Sequence, residues 1–340
     1  MKKFAQLPIN ERKLFFEQTA AQVGLPARSV EKDFWVSWTL LQLFEHSSLS
    51  AHLTFKGGTS LSKVWKLIQR FSEDIDLIIS KEYLGFEGFD DSFNEKSKKQ
   101  QKKALEELKQ RCSSVVTISL LEELKAICSP LLPKDEIWKL EVDSHDKDQQ
   151  TLLFLYPTCW PGEAGAYLSP AVKIEMGARS DNSPSEAHEI ISYVAEVFPQ
   201  AFEQPSACVQ VLAARRTYWE KATLLHEETY RPEQKQRKLR MARHYYDIWC
   251  LIDGGIAEEA TQDIELLHSV VTHRKLFFSY GWMDYETMKR GSLRVVPLPH
   301  QVDAWQKDYE QMQREMFFGN VPDFGDILKK IKEWEDRFNT

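Results

Sequence analysis

The sequence predicts an α+β protein in which a sheet-containing N-terminal lobe, residues 1–200, precedes a mainly helical C-terminal lobe, residues 201–340. Short runs typical of strands recur between residues 53 and 176, with turn-forming glycines and prolines between them. Beyond about residue 185 the strand patterns fade, and helical patterns dominate to the C-terminus. We therefore expect a mixed sheet in the first lobe and a meeting of the two lobes near residue 200.

The elements of the first lobe follow from hydrophobic periodicity and turn signals. The predicted elements are helices over 10–46 with a break at 24–26, a strand at 53–55, a helix after residue 60, a strand at 72–79, a helix over 93–127 and strands at 137–142, 151–156 and 171–176. Thr59 or Ser60 is expected to cap the helix after the glycine turn. One face of that helix should carry Leu61, Val64, Leu67 and Ile68. Pro157, Pro161, Gly162 and Gly165 should supply the turns before the last strand.

The composition is that of an ordinary globular protein, with 42% hydrophobic and 28% charged residues among 340. No apolar run approaches the ~20 residues that span a bilayer, and no secretory signal follows the N-terminal lysines. We therefore expect a soluble cytoplasmic protein with no membrane partner. The five cysteines are odd in number and never spaced C-x-x-C, which excludes a thiolate zinc site and argues against a disulfide framework. Each is expected to be a small buried residue.

Charge is unevenly distributed along the chain. The net charge of −7 argues against a protein that coats nucleic acid indiscriminately, yet residues 231–243 hold six basic residues against one acid. Such a local positive stripe suits a polyanionic ligand. A second basic cluster, over 96–103, is better explained as a solvated helix face.

Asp74 and Asp76 are the residues on which the functional prediction depends. Residues two apart in a strand point to the same face, so the two carboxylates should project together while Ile75 and Leu77 face the core. Two adjacent carboxylates repel each other unless a cation lies between them, and oxygen donors are what Mg²⁺ prefers. Glu175 alternates with apolar neighbours in a later predicted strand and could supply a third carboxylate. By itself, D-x-D in a strand is usually chance or a surface pair.

The turn over 57–60, Gly-Gly-Thr-Ser, lies between a predicted strand and a predicted helix. Glycines let the backbone approach a phosphate closely, and the first N–H groups of a helix favour negative charge. The hydroxyls of Thr59 and Ser60 add donors. The simpler alternative is a tight turn with a helix cap. The combination of this turn with an acidic pair on the next strand is much more specific than either part.

Two runs, F-K-G-G-T-S-L-S-K over 55–63 and R-F-S-E-D-I-D-L over 70–77, closely resemble the AbiEii-type nucleotidyltransferase toxins. The E-K-D-F-W segment around Lys32, the W-E-K-A segment around Lys221 with Leu225-His226, and R-H-Y-Y-D over 243–247 are also similar to that family. The resemblance covers roughly residues 30–252. It implies a DNA-polymerase-β-like nucleotidyltransferase lobe, a separately encoded antitoxin and, for some members, transfer to tRNA 3′ ends.

The resemblance also implies roles for individual residues. Asp74 and Asp76 would bind catalytic Mg²⁺ (or Mn²⁺), and Glu175 fits a strand acid of the fold with a less certain role. Gly57, Gly58 and Ser60 would hold the triphosphate of the NTP substrate, with Lys221 reaching it. Arg70 and Ser72 would border the site, and Asp247 would be a further essential acid.

The residues in the second lobe have structural alternatives. Lys221 could be an ordinary surface lysine paired with an acid. Asp247 lies among aromatic residues, so it would need a partner such as Arg243, and a structural salt bridge explains it about as well as chemistry does. His226 and His244 could be general bases, although a lone helical histidine is more often packed or capping.

Three functions compete. The first is nucleotidyl transfer to an RNA, with the basic stripe over 231–243 holding a tRNA acceptor stem through its phosphates. The second is the same chemistry on a protein hydroxyl, which the motif does not distinguish. The third is a silent module that binds nucleotide or a partner protein; it ranks lowest because Asp74, Asp76 and Glu175 are all present.

Overall fold

The computed structural model describes residues 1–70, 72, 74–89, 93, 96–161, 170–317 and 321–340, with no account of the side chains of 314–316. These residues form two compact units. The first comprises residues 1–64 and 73–211, and the second comprises residues 65–72 and 212–340. The domain division predicted at residue 200 stays a prediction. Glu73, Gly162 and Gly165, which belong to predicted elements and turns, lie outside the described residues.

The first unit contains a sheet whose described strands follow the order β3-β4-β5-β2-β1-β7-β6. The strands are β1 (Leu53–Lys56), β2 (Ile75–Ile79), β3 (Lys139–Val142), β4 (Thr151–Leu155), β5 (Ala171–Gly177), β6 (Ser185–Ile191) and β7 (Ser206–Leu212). β2 pairs antiparallel with β1 and parallel with β5, so the sheet is mixed. The predicted α+β class is confirmed.

Helices accompany this sheet in the first unit. They are α1 (Lys2–Ala5), α2 (Ile9–Val23), α3 (Ala27–Leu41), α4 (Gly57–Lys63), α5 (Lys98–Ser114), α6 (Leu121–Cys128) and α7 (Tyr193–Val197), with π-helical turns at Gln42–His46 and Val115–Leu120. Aromatic rings join α3 to the sheet: Trp35 stacks on Tyr156 at 5.6 Å and Trp38 stacks on Phe154 at 5.5 Å between ring centroids. Buried aromatic residues of this size dominate the energetics of a core.

The second unit is built from helices. They are α8 (Ala214–Tyr230), α9 (Arg243–Asp253), α10 (Ile256–Gln262), α11 (Ile264–Phe277), α12 (Val302–Met316) and α13 (Phe324–Asn339). Its core contains perpendicular aromatic pairs: Tyr245 meets Trp305 at 4.9 Å, and Tyr218 meets Trp334 at 5.3 Å. No helix in the described part of the chain is long and apolar enough to cross a membrane.

Three predictions about elements are wrong. Strands do not end near residue 185, because β6 and β7 follow. The sequence of β6 gives no strand signal because most of its residues are at least half-exposed. β7 does show the alternation of a strand, with Ala207, Val209 and Val211 buried. Neither Thr59 nor Ser60 caps α4, which already begins at Gly57. The same helix ends at Lys63, so the predicted apolar face that included Leu67 and Ile68 does not exist.

The cysteines largely follow the prediction. Cys112, Cys128, Cys159 and Cys250 are buried, and burial raises the pKa of each thiol to about 12. Such thiols are poor nucleophiles. Cys208 is exposed, so the prediction of burial is wrong for that residue.

Candidate active site

The acidic pair lies where β2 begins in the middle of the first unit's sheet. Asp74 directly precedes the strand and Asp76 is its second residue, and both are half-buried. Ile75 and Leu77 are buried, at 0% and 2% exposure. The predicted alternation is therefore confirmed: the apolar residues face the core and the acids share the other side.

Gly57 lies directly against Asp76. In the β1–β2 pair Lys56 is opposite Asp76, so the next residue, Gly57, begins α4 beside the carboxylate. A Cβ built on Gly57 would be 2.1 Å from Asp76 Oδ2. Gly57 also has φ +82°, in the left-handed region that favours glycine. Both the backbone conformation and the close approach of the carboxylate therefore require glycine here.

The hydroxyls of α4 are used inside the unit. Thr59 and Ser60 are fully buried. Thr59 Oγ1 donates to the backbone oxygen of Asp74 at 2.5 Å, and Ser60 Oγ donates to Gly57 O at 2.9 Å. These bonds fix the start of α4 against the acidic segment, a contribution that sequence reasoning missed. The role predicted for these hydroxyls, contact with a triphosphate, stays a prediction, and in this structure each already has an acceptor.

Glu175 lies opposite Asp76 in the parallel β2–β5 pair, as a neighbouring-strand acid should. Its flanking residues Ile174 and Met176 are buried, so the predicted alternation of β5 is confirmed. Lys173 Nζ forms an ion pair with Glu175 Oε1, which the sequence analysis did not predict. Burial works to lower the pKa of Lys173, but the hydrogen bond and charge of Glu175, with the charge of Asp74, outweigh it and raise that pKa.

Lys173 is a residue that the sequence could have revealed. It lies two positions before Glu175 in the same strand, so both side chains project from one side of the sheet. Lys173 partly neutralises the acidic group, and Glu175 is bound to it in this structure. The prediction that Glu175 ligates a metal stays a prediction.

The second unit contains a buried ionic cluster around Asp247 on α9. Arg70 binds this carboxylate with two hydrogen bonds, from Nε at 2.6 Å and from Nη2 at 2.8 Å. Lys221 Nζ, from α8, lies 2.8 Å from Asp247 Oδ2. The exposures of Arg70, Lys221 and Asp247 are 5%, 7% and 0%. Arg243, the partner suggested by the sequence, donates from Nη1 to the backbone oxygen of Arg240, and its pairing with Asp247 stays a prediction.

Electrostatics favour the charged forms of Asp247 and Arg70, whereas for Lys221 burial outweighs the charge of Asp247 and lowers the pKa. Burial alone would raise the pKa of Asp247, but the charges of Arg70 and Lys221 outweigh it and hold that pKa well below its usual range. His244 lies beside the cluster, with Nδ1 3.4 Å from Lys221 Nζ. Burial, followed by the charges of Lys221 and Arg243, lowers the pKa of His244 well below 6.5. His244 thus adjoins two buried basic side chains and one carboxylate.

Two other segments with family-like sequence hold buried polar residues with partners inside the protein. Asp33 on α3 accepts from Lys63 Nζ and from the backbone N–H of Tyr193. His226 on α8 is packed, as its structural alternative predicted; its ring bonds the backbone of Arg294 and the hydroxyl of Thr287. Ser72 is half-buried and belongs to the second unit.

The basic stripe over 231–243 is only partly available to a ligand. Arg231 binds Glu228 with two hydrogen bonds, at 2.7 and 2.6 Å, and Arg237 Nε lies 3.3 Å from the same carboxylate. Arg237 also lies over the ring of Trp305, 3.5 Å from its centroid. The side chains of Lys235 and Lys238 are exposed.

The structure therefore gathers the predicted residues in two groups. The first unit places Gly57 against Asp76, with Asp74 two residues before it and Glu175 opposite it on the next strand, and the second unit brings Arg70, Lys221 and Asp247 together. Against family models, residues 38–330 match the nucleotidyl transferase AbiEii toxin of type IV toxin–antitoxin systems. The chain belongs to this family.

Other comparisons add little to the AbiEii assignment. Among solved structures, the chain is similar to MenT4, a nucleotidyltransferase toxin from Mycobacterium tuberculosis H37Rv, with 16% identity over 96% of this chain and 99% of that one. The TM-score is 0.42, so we draw no inference from this likeness. No significant match is found among curated proteins. The assignment of this AbiEii protein as a nucleotidyltransferase toxin with an antitoxin partner rests on the family.

AbiEii nucleotidyltransferases, as a class, use a divalent metal and an NTP. Among the described residues, no three His, Cys, Asp or Glu side chains are grouped so as to hold a metal ion. Asp74 and Asp76 form a two-carboxylate set beside a glycine that leaves room for the acid. Mg²⁺ is usually bound through one or two carboxylates plus substrate phosphates, so the residues fit a metal that arrives with a nucleotide.

Proposed function

We propose that this protein transfers an NMP from an NTP to the 3′ hydroxyl of an RNA, with tRNA as the expected acceptor, in the cytoplasm where both substrates occur. The observation that carries the proposal is the pair of carboxylates at the start of β2, with the Gly57 backbone packed against Asp76. A paired set of hard oxygen donors beside a glycine backbone is what a metal–triphosphate complex requires.

Asp74 and Asp76 are the proposed ligands of Mg²⁺ or Mn²⁺, with Glu175 as the predicted third acid. When bound, the metal neutralises the charge of the triphosphate and lowers the pKa of the attacking hydroxyl. Thr59 positions Asp74 by donating to its backbone oxygen. Gly57 positions Asp76, because any larger residue would displace that carboxylate.

The remaining proposed roles concern the nucleotide. Gly57 and Gly58 would offer backbone N–H groups to the phosphates, and Thr59 and Ser60 would support that turn from within. Lys221 and Arg70 would supply positive charge for the triphosphate, with Ser72 nearby in sequence. Asp247 is then a positioning residue, because both cations already bind its carboxylate.

The direct test uses the purified full-length protein, total RNA and each α-³²P-labelled NTP, with and without EDTA. We expect label to enter RNA from at least one NTP, to require the divalent metal and to be removed by RNase. Label that only protease removes would replace RNA with a protein acceptor. NTP binding without transfer to any RNA or protein in a cell lysate would contradict the proposal and leave a binding module.

A further inference from the structure

The second unit carries a surface on which aromatic rings and cations lie together. Tyr280 stacks on Trp282, with ring centroids 4.8 Å apart and planes 13° apart, and Phe278 follows at 6.4 Å from Tyr280. Phe278 and Tyr280 are 42% and 37% exposed, so both rings are accessible to a ligand. We call Arg231, Lys235, Phe278, Tyr280 and Trp282 the basic–aromatic surface.

Two cations lie over the same ring of this surface. The guanidinium carbon of Arg231 is 5.6 Å and Nζ of Lys235 is 5.7 Å from the centroid of Trp282. Two cations over one indole place positive charge directly beside the exposed rings. Glu228 holds Arg231 in place, whereas Lys235 extends from an exposed position.

The chemistry of this surface matches unpaired nucleotides better than a protein. Bases stack on exposed aromatic rings whatever their sequence, and adjacent lysines follow the phosphates. Exposed Lys238 and Arg240 continue the positive segment on a chain whose net charge is −7. Aromatic residues and arginine are enriched in protein interfaces as well, but lysine is depleted there, so the exposed lysines favour a nucleic acid. Duplex RNA keeps its bases stacked on each other, so only a single-stranded segment could use the ring of Tyr280.

We propose that the basic–aromatic surface binds a single-stranded segment of RNA, with a base stacked on Tyr280 and neighbouring phosphates on Lys235 and on the adjoining exposed Lys238. This inference rests on the proposed function, because it assigns a contact to the acceptor RNA. It makes a separate claim, however, since the binding requires neither NTP nor metal.

The first test measures binding of a fluorescein-labelled single-stranded RNA by anisotropy, without NTP or metal. Tyr280→Leu should weaken binding about fivefold or more, as expected for the loss of one base–aromatic stack. The matched control is Tyr83→Leu in the first unit, since Tyr83 has the same exposure, 37%. It should bind as the unmodified protein does. Urea unfolding of both variants shows whether either has lost its fold.

The second test removes charge. Lys235→Gln combined with Lys238→Gln should reduce the slope of log Kd against log salt by about 1.4, from roughly 0.7 per phosphate contact on a single strand. The control is Lys98→Gln with Lys102→Gln, two exposed lysines on α5, which should leave the slope unchanged.

The outcomes separate this inference from the proposed function. Unchanged RNA binding by the Tyr280 and double-lysine variants would overturn it, as would equal losses in their controls or no binding by the unmodified protein. Variants that bind RNA normally but lose a cognate antitoxin would assign the surface to a protein and also overturn it. RNA binding that depends on Tyr280, in a protein that transfers no nucleotide to RNA, would support this inference and refute the proposed function.

Discussion

At the scale of single residues, the second unit depends on a buried carboxylate. Asp247 is fully buried between Arg70 and Lys221, and each of these cations is at least nine-tenths buried. Replacing Asp247 with asparagine keeps the shape but leaves two cations without a counter-charge. Breaking a buried ion pair in this way typically costs about 3–5 kcal/mol.

We therefore expect Asp247→Asn to lower the free energy of unfolding by about that amount, measured by urea denaturation followed by tryptophan fluorescence. Asp253→Asn is the matched control on the same helix, since Asp253 forms an exposed ion pair with Lys330. Such pairs contribute about 1 kcal/mol or less. Equal losses in the two variants would show that Asp247 is not a buried counter-ion.

His226 makes a separate contribution at this scale. Burial lowers its pKa from 6.5 to about 4, and its ring bonds Thr287 and the backbone of Arg294. Between pH 6.5 and pH 4 this histidine is protonated in the unfolded chain but not in the folded chain. The free energy of unfolding therefore decreases as the pH is lowered through this range. The lowering of the pKa from 6.5 to about 4 corresponds to a loss of about 3 kcal/mol in the free energy of unfolding.

We expect the unmodified protein to lose more unfolding free energy than His226→Gln when the pH is lowered from 6.5 to 4. Urea denaturation at intervals across this pH range measures the difference in unfolding free energy between the two proteins. Carboxylates titrate in both proteins, so their contribution cancels when one curve is subtracted from the other. Parallel curves for the two proteins would contradict the assignment of this proton to His226.

At the scale of elements, the junction of β1 and α4 positions the acidic pair. The helix begins at Gly57 with a positive φ, and Asp76 occupies the space that a side chain there would need. Alternation along β2 and β5 could be predicted because it is a local property of strands. The pairing of Lys173 with Glu175 was equally local but was overlooked. The internal hydrogen bonds of Thr59 and Ser60 could not be predicted, since they depend on where β2 lies.

Gly57→Ala should lose nucleotidyl transfer by an order of magnitude or more, because its methyl group would displace Asp76. The control is Gly85→Ala, which has a similar φ of +85° and nothing within 4 Å of an added Cβ. Both variants carry the backbone strain, but only the first disturbs the carboxylate. Label incorporation measured beside urea unfolding distinguishes the two effects. Comparable activity in the two variants would contradict the positioning role of Gly57.

At the scale of the whole molecule, the two compact units are not continuous along the chain, which the sequence does not reveal. Residues 65–72 leave the first unit after α4 and belong to the second, where Arg70 meets Asp247. The change to helical composition near residue 200 predicted two lobes, but the ion pair between Arg70 and Asp247 spans 177 positions and leaves no periodic signal. The family-like motifs indicated that Arg70 and Asp247 are important charged residues. Only the folded structure shows that they bind each other.

The most direct measurement is NMP incorporation into RNA by Asp74→Ala combined with Asp76→Ala, compared with Glu186→Ala combined with Glu189→Ala. The control removes two exposed acids from β6 of the same sheet and so makes the same change in charge. If Asp74 and Asp76 hold the catalytic metal, the first variant remains folded but transfers no label above background, while the control transfers at the rate of the unmodified protein. Undiminished transfer by the Asp74 and Asp76 variant would show that these carboxylates do not perform the chemistry.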